Sequence, residues 1–241
     1  MYIDDKGIVL RTVRYDDKSF IAHLFTASRG HVAFMVNASR SKRSGMSARL
    51  FQPLSFLSFQ WDAKPNATLH RMKEARLLLT LQDIPYDPVK RSVAMLLAEF
   101  MAHALSNEAE NADLYFYIEH SVQWFDAAPD GYANFHLVFL LKLARFLGFA
   151  PNDEEYAEGS LFDLARGRFI AMGLPSDELL CGADASLLYQ LNDATYATMT
   201  GIAMNRYDRA RIIRHLARYY ALHIPSFPPV RSLEILQDVM G

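Results

Sequence analysis

Apolar and polar positions alternate through the first third of the chain and then change period. Residues 7–15 (GIVLRTVRY) read as a strand that ends in the polar turn Asp16-Asp17. Residues 18–26 set Phe20, Ala22 and Leu24 against Ile21, His23 and Phe25, and residues 31–37 put Val32, Phe34 and Val36 on one face. The turn between these two strands is Ser28-Arg29-Gly30. Residues 52–61 (QPLSFLSFQW) predict an aromatic fourth strand whose alternation slips near Leu57, the mark of a bulge. Pro65-Asn66 then turns into a fifth strand over residues 67–79. Five short half-apolar strands within 80 residues predict a small closed barrel of the OB type. The connection between strands three and four has no apolar period before Leu50 and reads as a loop with one helical turn near its end.

Beyond Leu79 the period becomes helical. Asp87-Pro88 predicts an N-cap followed by proline at the first helical position, and Val89, Val93, Leu96, Leu97, Phe100, Met101 and Ala104 follow it. Asn111 caps a second helix with Leu114, Ile118, Val122 and Phe125 inward. Residues 133–147 are apolar nearly all round, as in the buried central helix of a bundle, and Gly148 and Pro151 end it. Residues 152–182 are weakly patterned and read as irregular with short elements. Helices return at 184–197, 206–222 and 231–240. The fold expected is thus a two-domain α+β chain: an N-terminal five-stranded OB-fold barrel over residues 1–80, then an all-α helical domain over 81–241.

Charge sharpens this division. The whole chain carries −2, but residues 1–80 hold 13 Lys/Arg against 6 Asp/Glu, and residues 81–241 hold 12 against 21. A basic barrel of net +7 beside helices of net −9 points to a phosphate-binding N-terminal third. Residues 39–49 concentrate the signal: Arg40, Lys42, Arg43 and Arg49 with four serines and no acidic residue, between two barrel strands where OB folds place binding loops. Arg11, Arg14, Lys18 and Arg29 extend the candidate DNA-binding surface. Of Phe25, Phe34, Phe56, Phe59 and Trp61, most must fill the barrel; Trp61, at a strand end, is the best placed to stack on a base. On the helix at 206–222, Arg211, Arg214 and Arg218 share a face opposite Ile212, Leu216, Tyr219 and Tyr220, and are candidates for gripping an acidic peptide or a second phosphate.

The remaining motifs exclude more than they suggest. No phosphate loop, nucleophile elbow, H-E-x-x-H or EF-hand loop occurs, the eight histidines lack ligand spacing, and one cysteine, Cys181, has no base partner, so no enzyme is expected. No apolar run reaches the ~18–20 residues of a membrane span, and the first residues lack a secretory pattern, so a cytoplasmic protein is expected. The competing class is an adaptor whose barrel binds protein; such a barrel has no reason to keep its long loop free of acids.

Four stretches in the same order resemble the bacterial RecO family of recombination mediators. GIVLRTVRYDDKSFIAHLFTASRGHVAF resembles the family's first strands, with its Thr26-x-x-x-Gly30 turn. Leu50-Phe51-Gln52-Pro53-Leu54 is similar to its L-x-Q-P-[LF] segment, and Leu69-His70-Arg71-Met72-Lys73-Glu74-Ala75 to its fifth strand. The ending Tyr219-Tyr220-Ala221-Leu222-His223-Ile224-Pro225, then Ser232-Leu233-Glu234-Ile235-Leu236, resembles its Y-Y-x-x-H-x-P…S-L-x-[VI]-L. The resemblance implies an OB fold followed by helices, binding of single- and double-stranded DNA, and strand annealing. It implies RecR and the acidic tail of single-stranded DNA-binding protein as partners, with RecA served indirectly in a bacterial cytoplasm at the nucleoid. Two departures stand out. Many members carry a four-cysteine zinc module where residues 150–182 hold only Cys181, so no zinc or other cofactor is expected. The family's G-A-R at the start of the basic loop is replaced by Asn37-Ala38-Ser39-Arg40, whose asparagine tolerates the left-handed backbone.

Overall fold

Alternation over residues 2–77 is realised as five strands: β1 (Tyr2–Arg14), β2 (Ser19–Thr26), β3 (Gly30–Asn37), β4 (Phe56–Asp62) and β5 (His70–Leu77). They close into a barrel in the order β1-β2-β3-β5-β4, antiparallel except for the β3–β5 seam. The computed structural model describes residues 2–37, 46–64, 67–174 and 176–239. Contacts group the chain into two compact units, Met1–Ala127 and Ala128–Gly241.

β1 belongs to two pairings at once, which lets five strands close. Its first half lies on β4 (Tyr2↔Asp62 to Ile8↔Phe56) and its second on β2 (Gly7↔Thr26 to Arg14↔Phe20), with a register shift between Val9 and Arg11. Val9, Ala22, Leu24, Val32, Phe34, Leu57, Phe59 and Trp61 fill the interior. One end is plugged by a 3₁₀ turn, Ala48–Phe51, capped by the Ser47 hydroxyl; Phe51 meets Phe20 edge-on at 5.1 Å. The predicted helical turn before strand four is therefore present, but the strand itself starts later than expected. Residues 52–55 do not join the strand, because Leu54 takes a φ of 61° and its N–H donates to the Val9 carbonyl at 2.8 Å. The slip in β4 falls between Gln60 and Trp61, not at Leu57.

The outer side of β1 and β2 is covered as well, which explains the unbroken buried run Gly7 to Leu10. Helix α1 (Pro88–Ala104) packs on β1, and Phe25 of β2 stacks on Tyr115 of α2 (Ala112–Ala127) with ring centroids 6.4 Å apart. Asp87 caps α1 as predicted, accepting from the N–H groups of Val89 and Lys90, and the Asn111 side chain accepts from Leu114 N–H. The connection from β5 to α1 is tied down by one carboxylate: Asp126 accepts from the backbone N–H of Gln82, Asp83 and Ile84 at 2.6–2.9 Å. Beside it the buried Lys90 ammonium donates to Asp83 and to the Asp126 carbonyl.

The second unit is built on α3 (Phe135–Phe146), buried nearly all round, with α4 (Gly182–Asp193), α5 (Arg206–His223) and α6 (Ser232–Val239). Residues 152–182, read from the sequence as irregular, contain a three-stranded sheet: β6 (Leu161–Asp163), β7 (Arg168–Ile170) and β8 (Leu179–Leu180), in the order β7-β6-β8. Strands this short carry too few residues to show a period. Aromatic packing consolidates them, with Phe162 on Phe169 at 4.9 Å and Tyr156 stacked on Tyr189 at 3.6 Å. Cys181 is exposed at the start of α4, and among the described residues no group of three His, Cys, Asp or Glu is placed to hold a metal.

Candidate nucleic-acid interface

Strand register sorts the predicted cations into three places. Arg14 and Lys18 flank the β1–β2 turn, at the barrel end where Ser19 faces Asn37 and where the plug carrying Arg49 sits. All three are exposed. Asp16 shapes that turn by accepting from Lys18 N–H, Ser19 N–H and the Ser19 hydroxyl, and the Ser19 bond leads the interactions that hold its carboxyl below the usual range. Arg14 is bound to Asp17 at 2.6 Å, in a fully solvated pair that a phosphate can displace. Arg40, Lys42 and Arg43 lie outside the described residues.

Arg29 is at the opposite end, in the β2–β3 turn, where Thr26 Oγ accepts from its backbone N–H at 3.1 Å. Arg11 is on the barrel wall past the β1 bulge, level with His23. His23 and His31 stack there with ring nitrogens 3.2 Å apart. Burial, then the charge of Arg11, then His31 depress His23 to about 4, and burial with Arg11 lowers His31 too. Both imidazoles are therefore neutral at neutral pH, and Arg11 is the cation of this wall.

The structure adds a strand of cations that the sequence reading passed over. On β5, Met72 and Ala75 turn into the core, leaving Arg71, Lys73 and Arg76 exposed along with Glu74. Lys73 sits 5.1 Å over the ring of Tyr2, an exposed aromatic, and donates to Gln60 Oε1 at 3.4 Å. Lys64 follows β4 and is exposed. The signal was available: spacing that buries Met72 and Ala75 leaves every basic residue of that strand outward. The aromatics are core, as expected of most of them, and burial extends to Trp61, the one best placed for stacking. Phe25, Phe34, Phe56, Phe59 and Trp61 are all buried, Trp61 1% exposed, because a strand-end indole is the right size to close the barrel interior. Exposed aromatics of the barrel are Tyr2 and Tyr15.

In the second unit the α5 arginines differ from one another. Arg211 donates to both oxygens of Asp184 at 2.8–3.2 Å and to Asp208 at 2.9 Å, while His215 reaches Asp184 at 3.1 Å. Burial works against ionisation of Asp184, but Arg211 and His215 outweigh it and its carboxyl lies below the ordinary range. Arg218 pairs with Glu178 at 2.7 Å on the surface, and Arg214 is exposed. The opposite face, Ile212, Leu216, Tyr219 and Tyr220, is buried as predicted.

Comparison with known proteins agrees with this architecture. Residues 1–80 match the family described as recombination protein O N terminal, and residues 85–234 the one described as recombination protein O C terminal. The chain is 41% identical over 235 residues to the DNA repair protein RecO of Phocaeicola vulgatus, covering 98% of each. It is 41% identical to that of Bacteroides fragilis over 97% of each chain, and 30% identical to that of Flavobacterium psychrophilum over the full length of both.

Proposed function

This chain belongs to the RecO family, a family of non-enzymatic recombination mediators, and on that premise we propose that it works in DNA repair by binding single- and double-stranded DNA through its barrel and annealing complementary strands. RecR and the acidic tail of single-stranded DNA-binding protein are its partners in this reading, and RecA loads onto the strand it prepares. The observation that carries the proposal is the barrel wall at β5, where Arg71, Lys73 and Arg76 face outward and Lys73 lies over the exposed Tyr2: charge for phosphates and a ring for bases. The barrel over residues 1–80 is the nucleic-acid-binding domain, and Arg11, Arg14, Lys18, Arg29 and Arg49 join the strand cations. For the partner's tail, Arg214 is exposed, Arg218 exchanges its surface pair readily, and Arg211 is committed to Asp184 within its own chain.

Fluorescence anisotropy of an unstructured single strand at a series of salt concentrations tests this. Six phosphate contacts predict sequence-indifferent binding with a log–log salt slope of about −4 to −5. Replacing Arg40, Lys42 and Arg43 together by alanine lowers that slope if the long loop tracks phosphates, and an unchanged slope removes those three residues. No binding at low salt overturns the DNA reading and leaves the barrel as a protein-binding adaptor.

A further inference from the structure

The two ends of the barrel are built differently. One is closed by the 3₁₀ plug, and the other, where the β2–β3 turn meets the β4–β5 connection, holds a pocket of about 290 Å³. That is near the lower end of the roughly 300–1,000 Å³ of small-molecule sites. Val32 and Ala63 form part of its apolar wall, and its polar lining is Arg29, Lys64, Trp61 and His70.

This lining is one-sided. Arg29, Lys64 and the Trp61 indole are donors only, and no Asp or Glu lines the pocket among the described residues. Lys64 pairs with Asp62 at 3.8 Å, in an exposed ion pair that a phosphate can displace. Trp61 is 1% exposed, yet its Nε1–H has no hydrogen-bond partner, and Nδ1 of His70, whose ring meets the indole edge-on at 4.7 Å, has none either. Buried donors are almost always satisfied in native proteins, so the unpaired indole N–H of a residue that lines the pocket calls for an acceptor, and His70 Nδ1 adds a second donor only in the tautomer that carries its proton there. Two cations at the same pocket make that acceptor an anion, and the turn that carries Arg29 is fixed from behind by Thr26.

We propose that this pocket is a phosphate subsite, taking one phosphate group of a nucleic-acid strand. It rests on the reading of the barrel as a DNA-binding domain and adds to it a discrete anchor distinct from the diffuse cations of β5. Arg29 and Lys64 neutralise the group, and the Trp61 indole N–H donates to an inner oxygen. Two sources supply that chemistry, an internal phosphodiester and the terminal phosphate of a broken strand.

The test uses the full-length chain labelled with ¹⁵N at the indole nitrogens, which gives two resonances, from Trp61 and Trp124. Titrants are inorganic phosphate and a short oligothymidylate with and without a 5′-phosphate, each followed in parallel by anisotropy. Expected are a downfield shift of the Trp61 N–H with phosphate and with strand, a still Trp124, and loss of the Trp61 shift in the doubly exposed variant R29A/K64A. Equal affinity for the two strands assigns an internal phosphate, whereas a tenfold or greater preference for the 5′-phosphorylated strand assigns a terminus. Strand binding by anisotropy with an unmoved Trp61, or a Trp61 shift that survives R29A/K64A, overturns the subsite and leaves the DNA reading intact. A response to inorganic phosphate alone assigns the pocket to a free anion and overturns the nucleic-acid assignment. Silence of both anisotropy and resonance overturns the DNA reading and the subsite with it.

Discussion

Gly30 is the position at which a single atom decides the β2–β3 turn. Its φ of +68° is left-handed, and a Cβ there would lie 2.2 Å from the Glu108 carbonyl oxygen and 2.3 Å from that of Ala109. His31 N–H donates to the same Glu108 carbonyl at 3.0 Å, so the backbone cannot retreat without losing that bond. Gly30→Ala should cost about 3–5 kcal/mol in urea denaturation, combining left-handed strain with a backbone clash. A loss under about 1 kcal/mol would mean that the 108–109 segment yields easily. Burial, and then the nearby Arg209, hold His136 down to about 3, against about 6.5 in an unfolded chain. Between those values the unfolded chain binds a proton that the folded one refuses. Stability from the neutral imidazole is thus whole above pH ~6.5 and drains as pH falls, at about 1.4 kcal/mol per pH unit. His23, at about 4, pulls the same way with a smaller effect because it is only half buried. Urea midpoints taken from pH 7 to pH 4 should fall, and His136→Gln should flatten the fall; an equally steep variant would assign the slope elsewhere. Neither residue announces itself in the sequence. Gly30 reads as a turn glycine without revealing what it faces, and His136 sits in an apolar run where any histidine looks alike.

Elements were legible where a local rule makes them and obscure where a distant contact does. Asp87-Pro88 and Asn111 begin helices by side-chain bonds to N–H groups a few residues on, so their positions were readable. The start of β4 was not, since residues 52–55 alternate like a strand while Leu54 bonds back to Val9, more than forty positions earlier. The sheet β6–β8 escaped for the same reason, being held by aromatic contacts between segments and not by its own period. Asp126 is the strongest case: a carboxylate at the end of α2 organises the connection before α1 by accepting three backbone N–H bonds. Asp126→Ala leaves those donors without their acceptor, the Ile84 N–H in a buried place, while Lys90 keeps its bonds to Asp83 and to the backbone carbonyl of residue 126. A loss of about 3 kcal/mol or more is expected from thermal or urea unfolding, with Asp126→Asn intermediate because one acceptor oxygen remains. Equal stability of wild type and Asp126→Ala would show that water replaces the carboxylate.

Across the whole molecule, charge counted by compact unit divides differently from charge counted on either side of residue 80. The unit Met1–Ala127 holds 15 Lys/Arg against 14 Asp/Glu, and Ala128–Gly241 holds 10 against 13. Much of the acidic surplus therefore belongs to α1, α2 and their connections, which share a unit with the barrel. A nearly neutral unit with cations along β5 and acids on its helices is a dipolar body, and under the proposed function repulsion from one side orients a phosphate chain as much as attraction to the other. The composition count places the basic surplus in the first third of the chain but could not say which wall of the barrel the charge occupies, since that depends on which faces the helices cover. β5 is a wall left open, with three cations on it. Replacing Arg71, Lys73 and Arg76 by alanine should cut the log–log salt slope on a single strand by about 2, at roughly 0.7 per phosphate contact, with unchanged thermal stability because all three side chains are exposed. If the same change instead lowers affinity without altering the slope, these residues position the strand without neutralising it. If neither moves, the path runs over the plugged end with Arg14, Lys18 and Arg49, and combining the β5 triple with alanine at those three separates the two routes.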